Sequence, residues 1–337
     1  MRSIIFLIVC VLLGLSCFAQ DPHFSQFFAS PLTLNPALTG KFNGNVRIAG
    51  NYRNQWPTIN HAFTTGTVSA DFHILQNKIS DIDTWGVGLM ALTDQSAAGA
   101  VKFNYAALST AFHKGLDENG YKQIGIGFQV TYSNMMINTS KLTFEDQLRP
   151  DGFTGITSET FNGSTLKRSY FDLNTGILFS SSVTERDNFY AGVSLYHVTR
   201  PRQQFTDTGY FVLNPRITLQ AGGFLPVGEQ MTLHLSALHS MQAGAHETVI
   251  GGAMQIPAGD PETSENPVSF FAGLWYRLND AFIPYIGLDY NSFSLGVTYD
   301  VNSSDLKTAS NSRGGIEISL IYIKKPAESK GLPCPRF

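Results

Sequence analysis

Charge is scarce in this chain. Only 15% of its 337 residues are Asp, Glu, Lys or Arg, against about 25% in ordinary soluble domains. No block of basic residues occurs, which removes the usual footprint of nucleic-acid binding. Beyond the first twenty residues no stretch reaches ~18 consecutive apolar residues, so no membrane helix is expected. Cysteine is nearly missing: there are 3, at Cys10, Cys17 and Cys334. No H-E-x-x-H and no paired Cys/His spacing is found among the 8 histidines, so no metal and no cofactor are expected.

The chain opens with Arg2, an apolar run from Ile4 to Leu15, and the small residues Ser16, Cys17 and Ala19. This is the pattern of a secretory signal peptide over residues 1–19, cleaved after Ala19. The run is too short for a transmembrane anchor. Cys17 as an acylated residue is the other reading, but Gly14-Leu15-Ser16 lacks the usual leucine three positions back. Cleavage would take Cys10 and Cys17 away and leave Cys334 alone, so the mature monomer is expected to form no internal disulfide. Losing Arg2 leaves 22 of the 23 basic residues against 26 acidic ones, a net charge of −4.

What is present is alternation. Ile124, Ile126, Phe128, Val130 and Tyr132 are interleaved with Gly125, Gly127, Gln129, Thr131 and Ser133. Successive side chains of a strand point to opposite faces, so one wall is apolar and the other small and polar. The same rhythm runs through Ile217–Gly222, Met231–Ala237 and Phe293–Tyr299. A soluble sandwich also alternates, but its outward face carries Lys, Glu, Asp and Arg. Here the polar face is mostly Gly, Ser, Thr, Gln and Asn. With aromatics at 12%, the composition suits an all-β transmembrane barrel whose apolar band meets lipid between aromatic girdles.

Fourteen strands are predicted, at about 44–53, 62–75, 84–94, 101–114, 121–134, 169–182, 187–200, 214–225, 230–240, 243–256, 267–278, 282–290, 292–301 and 313–323. The barrel is therefore expected over 44–323, with a tail over 324–337. An even count returns the chain to the side it started from, expected to be the periplasm. The long loops 135–168 and 201–213 then face outward, while the connection 257–266 is long for the periplasmic side. Fourteen strands enclose a lumen too wide for wall side chains to fill. The segment 20–43, with Pro22, Pro31, Pro36 and the aromatics Phe24, Phe27 and Phe28, is one candidate to occupy it. Loop 135–168 is another.

Local patterns that suggest catalysis have simpler explanations. Ser164-Thr165-Leu166-Lys167 matches S-x-x-K, but that motif needs a helix, and here it leads into a strand. The Gly86-Val87-Gly88 and Gly125-Ile126-Gly127 pairs precede no helix and read as small wall residues. His234 and His239 are five apart and fall on opposite faces. Glu145-Asp146 in a loop is better explained by turn chemistry.

Several collinear segments carry more. His23, Phe24, Gln26 and Phe27 lead into Asn35-Pro36-Ala37. Asn51-Tyr52-Arg53-Asn54-Gln55-Trp56-Pro57 and Leu142-Thr143-Phe144-Glu145-Asp146-Gln147 follow. Tyr196-His197 precedes Pro201, and Gly314-Gly315-Ile316-Glu317-Ile318-Ser319-Leu320 comes late in the chain. The last residues are Leu332, Pro333, Cys334, Pro335, Arg336 and Phe337. Together they resemble the PorP/SprF family of the type IX secretion system of Bacteroidetes, with Glu145 standing where the family pattern has glycine.

The resemblance implies a fourteen-stranded outer-membrane barrel without enzymatic activity, tied to protein secretion and gliding motility. It implies partners of two sorts besides outer-membrane lipid: a periplasmic lipoprotein ring of the secretion machinery, or a secreted surface protein that the barrel anchors. The tail, with Leu332, Cys334, Pro335, Arg336 and Phe337, is a candidate docking peptide. No nucleic acid and no small-molecule substrate are expected. The alternative is a porin-like channel, whose mark would be opposed charges on the lumen face. Only Arg216, Arg277 and Asp289 suggest such a constriction.

Overall fold

The computed structural model describes residues 21–59, 62–76, 78–161, 163–184, 187–205, 210–259 and 267–324. Within them the chain forms a closed antiparallel barrel of fourteen strands. The first seven are β1 (Val46–Gln55), β2 (Phe63–Ile74), β3 (Thr84–Ser96), β4 (Val101–Gly115), β5 (Lys122–Asn138), β6 (Thr165–Thr184) and β7 (Asp187–Tyr196). The rest are β8 (Arg216–Val227), β9 (Met231–Gln242), β10 (Ala245–Pro257), β11 (Val268–Arg277), β12 (Ala281–Tyr290), β13 (Phe293–Asn302) and β14 (Arg313–Lys324). Each strand pairs with its neighbours in sequence, and β1 closes on β14 from Val46 opposite Lys324 to Gln55 opposite Gly315. Closure matters because an unpaired edge in lipid leaves backbone N–H and C=O groups without partners. Among the described residues no helix is long and apolar enough to cross a membrane; the crossing elements are strands.

The alternation in the sequence sets the two faces. On β5 the even residues Ile124 to Tyr132 point outward, while Gln123, Gln129, Thr131 and Ser133 are buried inside. Leu89, Leu108 and Phe128 are 59%, 58% and 51% exposed, which in water would be a liability and in lipid is the stable arrangement. Outward aromatic pairs gather near both rims. Trp85 meets Phe112 and Phe293 meets Tyr322 toward one rim. Trp56 meets Phe63 and Tyr276 meets Phe282 toward the other. This is the girdle pattern of outer-membrane barrels.

The largest departures from the sequence reading are in three strands. The seventh strand, predicted to reach residue 200, stops at Tyr196, because His197 and Arg200 take left-handed backbone with φ of 59° and 48° ahead of Pro201. Strands β5 and β6 are longer than predicted, at 17 and 20 residues, against about 9–11 needed to cross a bilayer. Their paired ends, Asn138 opposite Thr165, lengthen this hairpin at the rim opposite Val46. The S-x-x-K serine stands one residue before that strand, with no helix to present its lysine.

Residues 21–43 do not join the wall. They form three short turns inside the barrel: Phe27–Ala29, Pro31–Leu34 and Pro36–Leu38. Pro31 and Pro36 open the second and third turns, where their missing N–H has no partner to lose. Asn35 caps the third, its Oδ1 accepting from the Ala37 N–H at 2.8 Å. The segment begins near the rim opposite Val46, where the Asp21 N–H donates to Gln242, the last residue of β9, at 2.8 Å. It then descends the lumen and meets β1 at the other rim. Asp21 and Lys324 thus lie at opposite ends of the barrel, while the two ends of the fourteen-stranded wall, Val46 and Lys324, share one rim as an even strand count requires.

Candidate functional site: the filled lumen

The lumen is where charge gathers. Arg53 on β1, Glu247 on β10, Arg277 on β11, Asp300 on β13 and Glu317 on β14 all point inward and are almost wholly shielded from solvent. Arg53 Nη2 lies 2.9 Å from Asp300 and its Nη1 3.3 Å from Glu317. Arg277 lies 3.0 Å from Asp300, 2.9 Å from Glu247 and 3.1 Å from Asp280. Buried charges persist only when paired and hydrogen-bonded. The inner segment completes this pairing. The Ser25 and Gln26 N–H groups donate to the two Glu317 oxygens at 2.7 and 2.9 Å. The Ser25 hydroxyl donates to Asp300 at 2.8 Å and accepts from both Arg53 and Arg277. Gln26 reaches the Glu317 carbonyl at 3.1 Å and accepts from Ser319 at 2.7 Å.

A second set holds the end that joins β1. Arg47 and Asp71 pair at 2.8 Å with both side chains 1% exposed. Arg47 also donates to the Leu38 carbonyl at 2.9 Å, and Asp71 accepts from the Gly40 N–H at 2.8 Å. The Phe42 ring lies under the Arg47 guanidinium at 4.9 Å, and Lys41 donates to Gln123.

Between these sets the segment passes close to the wall. Asn35 Nδ2 donates to the carbonyls of Ile177 and Val193, each at 3.3 Å. The wall carries glycine at the points of closest approach. A Cβ at Gly176 would sit 1.9 Å from Asn35 Oδ1, and one at Gly127 would sit 2.3 Å from the Pro36 carbonyl carbon. Phe24, Phe27, Leu32, Leu34, Ala37 and Leu38 are buried in the lumen. Full burial of a large apolar side chain contributes about 1.5–3 kcal/mol.

The start of the segment is anchored electrostatically. His197, just past β7, lies 2.7 Å from Asp21 and 2.6 Å from Asp172. Burial would lower the His197 pKa, but the Asp21 charge and the Asp172 hydrogen bond outweigh it and raise it to about 9. Burial would likewise raise Asp21, yet His197 and Arg216 hold its carboxyl well below the usual range. His23 goes the other way. Burial lowers it to about 4 despite Glu247 at 3.5 Å, so it is neutral at pH 7.

The sequence-derived candidates therefore separate by place. His23, Phe24, Gln26, Phe27, Asn35 and Pro36 all lie in the lumen. Asn54 and Gln55 end β1, and Trp56 turns the chain with φ of 51° while its N–H donates to the Gly314 carbonyl at 2.8 Å. Asp146 and Gln147 sit in the loop 139–164 and are bonded within it. Asp146 accepts from the Ser158 N–H at 2.6 Å and from its hydroxyl at 2.9 Å, which lowers its pKa. Gln147 Oε1 accepts from the Phe144 N–H at 2.9 Å. Glu145 fits this turn without left-handed backbone, so the turn does not require the glycine of the family pattern. Leu332, Cys334, Pro335, Arg336 and Phe337 lie outside the described residues, as does the leader predicted over 1–19.

Sequence reasoning missed most of the charged cluster. Its members are scattered over positions 25, 53, 247, 277, 300 and 317, and no local spacing links them. A usable signal was strand parity: Arg47, Arg53, Asp300 and Glu317 occupy inward positions of strands that are otherwise uncharged inside. Arg277 and Arg216, noted as scattered constriction candidates, are instead paired across the lumen with the wall and the inner segment.

Residues 16–322 match the family model described as Type IX secretion system membrane protein PorP/SprF. No curated protein matches the chain. Among solved structures, a TodX monoaromatic hydrocarbon channel deletion mutant is 10% identical, with 88% of this chain and 94% of that chain covered at a TM-score of 0.49. A Pseudomonas aeruginosa FadL homologue is 10% identical over 86% and 92%, at a TM-score of 0.44. BamA from Haemophilus ducreyi is 9% identical over 83% and 70%, at 0.43.

Proposed function

The chain belongs to the PorP/SprF family of type IX secretion system membrane proteins, and from that membership and its occupied lumen we propose that this outer-membrane barrel serves secretion as a closed, non-enzymatic scaffold. The observation that carries this reading is the inner segment itself. A channel needs a continuous aqueous path, but here charged wall residues are spent on the backbone and side chains of residues 21–41. A porin constriction presents opposed charges to solvent; these are sealed against protein.

On this reading the rims do the work. The periplasmic rim is the one bearing Val46 and Lys324, and the tail 325–337, which follows Lys324 in the sequence, is the segment offered to a periplasmic lipoprotein ring. The opposite rim carries the long loops 139–164 and 197–215, placed to hold a secreted surface protein. Leu332 and Phe337 offer apolar anchors and Arg336 a charge partner, at the modest affinity of peptides that order on binding. The test is affinity purification of the detergent-solubilised full chain beside one lacking Gly331–Phe337. Loss of a periplasmic lipoprotein from the truncated sample, with the barrel still inserted and heat-modifiable, supports tail docking. Equal recovery of that lipoprotein from both contradicts it.

A further inference from the structure

Among the described residues the inner segment leaves parts of the lumen open. Between it and strands β7 to β14, toward the Val46–Lys324 rim, lies a cavity of about 130 Å³. Two groups of rings line it. Phe28 stacks on Trp275 at 4.8 Å, and Tyr285 stands edge-on to both, at 5.6 and 5.5 Å. Phe224 lies 4.3 Å from His234, which meets Phe271 at 5.4 Å.

Several polar groups around this space are bonded within the wall. The Trp275 N–H donates to Ser236 at 2.9 Å, His234 bonds Gln255 at 3.0 Å, and Gln255 donates to Ser269 at 3.2 Å. Ser319 is engaged with Gln26. Aromatic and aliphatic side chains make up most of the remaining lining, with Asp289 and Ser294 as its further polar members. A water molecule is stable in a cavity only with two to four polar partners, whereas an apolar cavity of ~150 Å³ stays dry and accepts benzene. Aromatic groups pack favourably by offset stacking and edge-to-face contact at ring separations of about 4.5–7 Å.

We propose that this cavity is a binding site for a single phenyl-sized apolar ring. The ring belongs either to a small free aromatic molecule or to a phenylalanine side chain presented at the Val46–Lys324 rim. The proposal does not depend on the secretion role.

The test uses the full-length barrel in detergent, with Trp56→Phe and Trp85→Phe so that Trp275 is the sole tryptophan. Toluene and N-acetylphenylalanine amide are titrated separately while Trp275 emission is followed. Toluene is expected to change the emission saturably. Ala253→Leu, which fills the space from β10, is expected to weaken that response at least tenfold. Ser294→Leu, on the opposite wall, fills it independently should the first variant fail to fold. A response to toluene alone identifies a free small molecule as the source, and a response to the amide as well identifies a presented side chain. No saturable response to toluene, or an equal response in a folded filled variant, overturns the proposal.

Discussion

The Ser25 hydroxyl and the Asp300 carboxylate meet at 2.8 Å in the buried lumen, 275 positions apart in sequence. Ser25 belongs to the inner segment and Asp300 to the wall. Arg53 and Arg277 close on both, so segment and wall share one charge cluster. Seating the segment and balancing the wall charges are therefore the same event.

Removing Arg53 tests that coupling. Arg53→Met leaves Glu317 without its only ion-pair partner among the described residues, while Asp300 keeps Arg277. Truncating one partner of a buried pair costs about 3–5 kcal/mol. Adding Glu317→Gln removes the stranded charge and is expected to recover part of the loss. Urea unfolding in lipid vesicles measures both; additive losses in the double variant would contradict the coupling.

The wall glycines give a steric test. Gly176→Val places side-chain atoms where Asn35 now lies. The barrel should still insert, but the inner segment should leave its seat. Lys41, 2% exposed in the seated segment, then becomes open to trypsin. Gly50→Ala meets nothing nearer than 3.8 Å and should leave Lys41 protected. Cleavage in neither variant argues that the segment stays seated without the glycine.

The two faces predict an asymmetry in lipid. Phe128→Arg puts a charge in the apolar band and should cost about 2–4 kcal/mol if near the midplane, whereas rim positions cost about 0–1. Leu148→Arg, in the loop 139–164 and 54% exposed, should cost nothing measurable. Equal losses in vesicle unfolding would reverse the assignment of the outer face.

The His197 anchor predicts a pH dependence. Its pKa is raised from 6.5 to about 9 in the folded chain by Asp21 and Asp172, against the effect of burial. A raised pKa means the folded state binds the proton more tightly. The stabilisation is complete below about pH 6.5 and is lost as pH rises through about 9. Thermal unfolding followed from pH 6 to pH 10 should show a falling midpoint in the wild type. In His197→Gln the fall should be smaller; an identical profile would remove His197 from the anchor.

The barrel was legible in the sequence because alternation is a local property that survives in single strands. Ile124 to Ser133 declares its two faces unaided. Boundaries were less legible where backbone conformation decides them, as at His197, whose left-handed φ ends β7 four residues before Pro201. The length of β5 was missed because Met135 to Asn138 break the alternation of the span before them yet pair fully with β6. The charge cluster was not legible as a cluster. Glu247, Arg277, Asp300 and Glu317 lie on four different strands, and Arg53 joins Asp300 and Glu317 only when β1 closes on β14. The path of residues 21–43 followed from their prolines and aromatics only as a need for burial. Its direction, from the rim opposite Val46 back to β1, is fixed by long-range partners such as Asp21 with Gln242 and Asn35 with Ile177.

The central claim is that residues within 21–43 close the barrel, and single-channel recording in planar bilayers tests it most directly. The full chain and a variant lacking Asp21–Gly40 are each checked for heat-modifiable insertion and then recorded under the same voltage and salt. The account predicts a silent wild type and a steadily conducting deletion variant. A wild type that already passes ions like an open porin, or an inserted deletion variant that stays silent, would contradict it.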